Sequence, residues 1–285
     1  MSHYNRKALA EALAGVGVAP GGLVFSHGNI GLFGYPEEGR DARAMRHTVH
    51  GAFRDALGPD GILAVPCFSY SACKGEPFDP ATTPGVGGMF PEWLRKRPDA
   101  VRSLDPIFSV AAVGPGAGEL LADLSSECFG PGSFWERLAA RDGIVVNLNL
   151  NAGFNALAHY AERLAGAPWR MDKAFPALVY DPSSKTNPVS TTVRYYCQRP
   201  DAAYADYDLL SRLLENAGLV ARAKVGRGGI VAVKALAFLD FFLVAFRENP
   251  AFLHPAASNP APNRAANPAA NPDPDSGGEK EGRNG

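Results

Sequence analysis

The chain has 285 residues, 46% hydrophobic and 20% charged, with a formal net charge of −1. This length and apolar content suit one large α/β domain or two small ones, and the near-neutral balance argues against a duplex nucleic-acid binder, which needs a basic face. No stretch reaches the ~20 apolar residues of a membrane helix; the most apolar window, Ala235 to Phe246, is too short and contains Asp240. In chain order, Lys7 to Leu13 reads as a short amphipathic helix ended near Gly15, and Gly22 to Phe25 as a strand. After a loop from Gly28 to Arg40, Asp41 to Leu57 reads as a helix stopped by Gly58-Pro59, and Gly61 to Phe68 as a buried strand. Helices are predicted over Gly88 to Arg97, Gly118 to Ser125 and Ser133 to Arg141, and strands over Ser109 to Val113 and Gly143 to Leu150. Phe154 to Ala165 reads as a helix, Thr191 to Cys197 as a strand, and Asp206 to Asn216 as an amphipathic helix closed by Gly218. A last strand, Ile230 to Val233, precedes a helix from Ala235 to Arg247. Strands alternating with helices predict an α/β protein with a mixed sheet, the C-terminal part adding antiparallel strands.

The chain is predicted to form a single domain over residues 1–253. From His254 onward it is rich in Pro, Asn, Ala and Gly and nearly devoid of large apolar side chains. Such a segment cannot offset its ordering entropy by burial, so residues 254–285 are expected to be a disordered tail. None of Cys67, Cys73, Cys128 and Cys197 has C-x-x-C spacing, so no zinc or redox pair is indicated. The N-terminal MSHYNRKALAEALAG lacks the apolar run of a signal peptide, and a cytoplasmic location is expected. The apolar side chains Phe238, Leu239, Phe241, Phe242 and Val244 of the last helix either seal the core or form a dimer contact.

Four segments could carry chemistry. Ser26-His27-Gly28-Asn29 follows a strand and is rich in small residues, so backbone amides could approach a ligand at the carboxyl end of the sheet. A plain glycine turn has the same pattern. Phe129-Gly130-Pro131-Gly132-Ser133 opens a helix, with Glu136 placed to complete a capping box. Its free N–H groups suit a phosphate or carboxylate, or simply a capped helix. His159 and Glu162 share a helix face at i, i+3. An imidazole near neutrality can take a proton from a nucleophile, although a surface ion pair has the same spacing. Glu76 and Asp79 flank Pro77-Phe78 in a loop, where two carboxylates beside an aromatic suit a cationic amine.

In this order the segments resemble the aminoglycoside 3-N-acetyltransferase, or antibiotic N-acetyltransferase, family. The likeness rests on Ser26-His27-Gly28-Asn29, Gly58-Pro59-Asp60-Gly61-Ile62-Leu63, Glu76-Pro77-Phe78-Asp79 with Thr83-Pro84, Arg102-Ser103-Leu104-Asp105-Pro106 leading to Ser109, Phe129 to Ser133, and Asn155 to Glu162. The resemblance implies an α/β/α sandwich around a mixed central sheet. It also implies acetyl-coenzyme A as donor, no metal, and direct transfer to an amine of an aminoglycoside, amino sugar or natural-product intermediate. His159 matches the histidine of the family's His-x-Ala-Glu signature, which implies a general base; Glu162 is its partner acid, with the loop carboxylate of Glu76 as the alternative. The stretches holding His27, Gly28 and Asn29, and Arg102, Ser103 and Ser109, resemble the coenzyme A surface, to which Gly130 and Ser133 add an anion-binding turn. Glu76 and Asp79 are the expected contacts of the amine. Three positions depart from the family pattern: Gly28 for Ser, Asp105 for His, and Ala156 for Thr or Ser. They leave open acyl transfer from, or hydrolysis of, a carrier-protein thioester, and a ligand-binding member without turnover.

Overall fold

Short β-branched runs bounded by glycine turns build the sheet. In the computed structural model, which describes residues 3–254, seven strands lie side by side: β1 (Leu23–Gly28), β2 (Ile62–Pro66), β3 (Ala100–Arg102), β4 (Val110–Val113), β5 (Ile144–Leu148), β8 (Ala221–Val225) and β9 (Gly228–Lys234). Their order is β3-β4-β2-β1-β5-β9-β8. The central strand β1 is parallel to β2 and β5, and the other neighbours are antiparallel. The remaining strands, β6 (Arg170–Val179) and β7 (Val189–Gln198), form a separate antiparallel ribbon.

Side-chain alternation divides the apolar residues into two layers. Val24, Leu63, Val65, Val146 and Leu148 pack on one face against α1 (Arg6–Gly15), α2 (Ala42–Leu57) and α3 (Met89–Arg95). Leu23, Phe25, Ala64, Val145 and Val233 pack on the other against α4 (Ala117–Leu121), α5 (Phe134–Ala140), α6 (Leu157–Ala165), α7 (Tyr207–Asn216), α8 (Ala235–Glu248) and the ribbon. The result is the expected α/β/α sandwich around a mixed sheet. Phe238, Leu239 and Phe242 of α8 are buried in this second layer, Phe241 packs against it, and Val244 is exposed. The helix therefore closes the core; fully burying a phenylalanine such as Phe238 contributes roughly 1.5–3 kcal/mol.

Several elements differ from the sequence expectation. The helix expected over Gly118 to Ser125 stops at Leu121, because Ala122 turns extended and Asp123 adopts a left-handed φ of 48°. β3, β6 and β8 are strands where the sequence reading has none. Among the described residues no helix is long and apolar enough to cross a membrane. The expected tail lies, apart from His254, outside the described residues.

Candidate active site

The site is built where β5 leaves the sheet. Asn147, buried at the end of β5, donates through Nδ2 to the carbonyls of Asn151 (2.6 Å) and Phe154 (2.8 Å) and so shapes the loop that follows. Asn155 then accepts a hydrogen bond from the amide of Leu157 (2.9 Å), the first residue of α6, and so fixes the turn that enters the helix. This places His159 in the first turn of α6 and Glu162 three residues on, along the same face. Gly166, in the left-handed region at φ 67°, stops the helix and turns the chain back, so that Trp169 and Arg170 return to that face. Tyr207 arrives from the start of α7. There the loop and helix touch closely: a Cβ on Gly153 would lie 1.7 Å from the Tyr207 carbonyl, which is why only glycine fits.

These pieces converge on one carboxylate. Glu162 is fully buried. Its Oε1 accepts hydrogen bonds from Trp169 Nε1 (2.8 Å) and the Tyr207 hydroxyl (2.7 Å), and its Oε2 lies 2.9 Å from both His159 Nδ1 and Arg170 Nη2. Arg170 Nη2 also donates to the Tyr207 hydroxyl (2.8 Å) and stands 2.7 Å from His159 Nδ1. Burial alone would raise the pKa of Glu162, but Arg170, His159 and Tyr207 together hold it down to about 2. Burial, then the Arg170 guanidinium, push His159 below its usual 6.5, against the opposing pull of Glu162. Nδ1 thus faces an acceptor, Glu162, and a donor, Arg170; the tautomer that donates from Nδ1 to the carboxylate leaves Nε2 with a free lone pair. Phe129 packs edge-on against the ring at 5.2 Å and Tyr207 at 6.0 Å. The arrangement is a neutral imidazole backed by an ionised carboxylate, with restricted access to water. Such an arrangement can take a proton from a nucleophile.

The other expected residues fall into three places. His27 ends β1 opposite Asn147 and stacks on Phe154 at 5.4 Å, so it adjoins the loop that presents α6. Burial lowers its pKa to about 4, which makes it neutral. Gly28 has φ 131°, and a Cβ there would lie 2.0 Å from the Leu148 carbonyl. Asn29 caps the following turn, accepting from the Gly31 amide (3.0 Å), while its carbonyl accepts from Asn149 Nδ2 (2.8 Å). Gly130 follows Phe129, the ring that touches His159. Ser133 caps α5 as expected, although Glu136 reaches the Gly132 amide (2.7 Å) rather than that of Ser133.

Arg102, Ser103 and Ser109 form a separate knot. Arg102 donates to the carbonyls of Cys67 (2.6 Å), Pro80 (3.3 Å) and Thr83 and to the Ser109 hydroxyl (3.1 Å), and covers the Phe78 ring. Burial lowers its pKa to about 10. Ser109 donates to the Cys67 carbonyl (2.6 Å), and Ser103 accepts from the Val110 amide (3.0 Å). Asp105 accepts from the Ile107 (2.8 Å) and Phe108 (2.9 Å) amides, which satisfies its buried carboxylate locally; burial raises its pKa. Glu76 is exposed, and Asp79 is occupied in its own turn with Ala81 and Thr82. Their loop docks through Phe78 on Leu178 and Tyr180. That is the far end of β6 from Arg170, about nine residues or roughly 30 Å along the strand. The structure therefore brings Glu162, and not Glu76, to His159. Trp169, Arg170 and Tyr207 carry no motif. Of the three, only Arg170 gives a sequence signal, a basic residue soon after a helix that holds an unpaired acid, and that signal is weak.

Comparison with known proteins identifies the family. The aminoglycoside 3-N-acetyltransferase family model matches residues 33–247. The chain is 31% identical over 264 residues to aminoglycoside N(3)-acetyltransferase IV from a Salmonella species, covering 90% of this chain and 93% of that protein. Among solved structures, a histidine-to-alanine mutant of AAC(3)-IVa in complex with a gentamicin superposes with a TM-score of 0.73 at 26% identity, covering 90% of this chain and 93% of that one. AAC-IIIb, solved as a binary complex with CoASH, shares the fold with a TM-score of 0.74 at 23% identity over 89% of this chain and 99% of that one. With the motifs, the sandwich and the extent of these matches in agreement, the chain belongs to the aminoglycoside 3-N-acetyltransferase family.

Proposed function

We propose that this chain transfers an acetyl group from acetyl-coenzyme A to an amino group of an aminoglycoside, with His159 as general base. The observation that carries the reading is the His159–Glu162 pair, whose Nδ1 to Oε2 contact of 2.9 Å supports the tautomer with a free lone pair on Nε2. An alkyl ammonium is no nucleophile until it loses a proton. Once that first proton has passed to solvent, a neutral imidazole can take the next proton from the attacking amine as the C–N bond forms, and Glu162 stabilises the positive charge that develops on the ring. The donor thioester supplies the activated acyl carbon, and no covalent enzyme intermediate is needed. Positioning the two substrates supplies much of the acceleration.

For the donor, His27, Gly28, Asn29, Gly130 and Ser133 are the residues this reading assigns to contact. His27 Nε2 and Asn155 Nδ2 support it, because both are buried polar atoms with no hydrogen-bond partner among the described residues. Arg102, Ser103 and Ser109 have their polar atoms committed within the protein, so they act by holding the chain around Cys67 and Thr83. The acceptor assignment is supported by family membership.

The test is turnover. The purified chain is incubated with acetyl-coenzyme A and, separately, gentamicin and apramycin, and thiol release and product mass are followed. Acetylated antibiotic is expected. Donor binding without acetylation of either antibiotic would overturn the acceptor, and acyl release only from a carrier protein would overturn the donor.

A further inference from the structure

A buried carboxylate draws a cation to itself. In an isolated His–Glu pair the carboxylate favours the imidazolium, which already carries a proton on Nε2, and so raises the pH at which the ring can act as a base. Here a third group changes the outcome. Arg170 has 2% of its side chain exposed and reaches Glu162 Oε2 at 2.9 Å. The same Nη2 stands 2.7 Å from His159 Nδ1 and 2.8 Å from the Tyr207 hydroxyl. Its Nε and Nη1 have no hydrogen-bond partner among the described residues. A guanidinium placed only to pin the fold would satisfy its outer nitrogens on carbonyls, as Arg102 does. Arg170 instead directs its hydrogen bonding to the dyad and the tyrosine beside it.

We propose that Arg170 is a positioning residue of the acetyl-transfer reaction: wedged between His159, Glu162 and Tyr207, it supplies the countercharge of Glu162 and so keeps the imidazole uncharged, with Nε2 vacant for the amine proton. The proposal rests on the general-base reading of His159. The charged or titratable groups that meet here are Glu162 from α6, Arg170 from β6 and Tyr207 from α7, with Tyr195 of β7 facing Arg170. Tyr207 does not compete as the anion, since burial raises its pKa well above the usual value. The arrangement also serves the second half of the reaction. When Nε2 takes the amine proton, the C–N bond has formed. The imidazolium then lies beside a guanidinium, which favours release of that proton to the sulfur as the C–S bond breaks and the thiol leaves.

The experiment is the pH dependence of kcat/KM in wild type, Arg170→Met and Arg170→Lys, beside NMR titration of the His159 ring. In Arg170→Met the acid limb, and the ring titration with it, are expected to move up by about one to three units, the usual effect of a charge at this distance. Activity lost at pH 7 then returns at higher pH. Arg170→Lys keeps the charge and its limb stays near wild type. A merely structural role would lower activity at every pH without moving the limb, and that result overturns the proposal. If Arg170→Met does not fold, the wild-type ring decides alone: titration at or above 6.5 contradicts the proposal. His159→Gln separates the two ideas. Turnover surviving in that variant removes the base itself, whereas a dead His159→Gln with an unmoved Arg170→Met limb removes only the role of Arg170.

Discussion

At the residue scale, the chemistry depends on which way protons are biased. His159 lies below 6.5 because burial and Arg170 both disfavour its charged form. The active species of a general base is the unprotonated one, so the rate rises with pH through this pKa. The acid limb of kcat/KM is therefore expected below pH 6.5, with no further rise from the enzyme's base above it. Glu162→Gln removes the charge that raises His159, which weakens the base. Activity at pH 7 is expected to fall roughly 10²-fold, within the range of general-base contributions, and the acid limb moves lower. The same pH profile measured on that variant checks both; an unchanged rate would show that Glu162 serves only to pack α6. Arg170→Met is expected to move the limb the other way, so the two variants bracket the dyad.

At the scale of elements, the junction of β1 and β5 sets where the site begins. Gly28 combines φ 131° with a carbonyl that a Cβ would meet at 2.0 Å. Gly28→Ser is expected to destabilise the chain by at least about 1–3 kcal/mol from backbone strain alone, measurable as a lower Tm. An unchanged Tm would mean that the two strands separate easily there. The glycine, standing where the resemblance leads one to expect serine, is thus demanded by strand contact in this chain. The sequence was informative where one physical signal dominated. The run from Gly61 to Phe68, bounded by Gly58-Pro59, became β2, and Ser133 and Asp206 stand at helix starts through caps that depend on local bonding only. Of the ribbon, β7 was read as Thr191 to Cys197, but β6 was hidden because Arg170 to Val179 alternates weakly and contains Pro176, which counts against a strand although an edge tolerates it. β3 has three residues, too few for any periodicity. The dyad was readable because i, i+3 spacing on a helix is a local fact. Arg170, Trp169 and Tyr207 were not, because what makes them part of the site is tertiary: a left-handed Gly166 that reverses the chain, and a Gly153 small enough to admit α7.

At the scale of the whole molecule, the fold keeps histidines neutral in its interior and so becomes sensitive to acid. His27 and His50 are lowered to about 4, both chiefly by burial, and His159 is lowered as well. Above pH 6.5 these imidazoles are neutral in folded and unfolded chain alike. As the pH falls through 6.5 the unfolded chain binds protons that the folded one refuses, so stability declines until about pH 4, where folded His27 and His50 begin to titrate. Thermal melts at pH 7.5 and pH 5 are expected to show a lower Tm at pH 5, and His27→Asn is expected to flatten that dependence; equal Tm values would mean these rings protonate freely in the fold. The central claim joins the scales, because a loop shaped by Asn147, a helix entered through the Asn155 turn, a returning strand and α7 together surround one nitrogen of His159. It is tested most directly by steady-state acetyl transfer in His159→Gln, with binding of acetyl-coenzyme A to the same protein measured by calorimetry. The account expects kcat to fall by roughly 10²–10⁴-fold while donor affinity stays near that of wild type. Turnover close to wild type in a variant that still binds donor would contradict it.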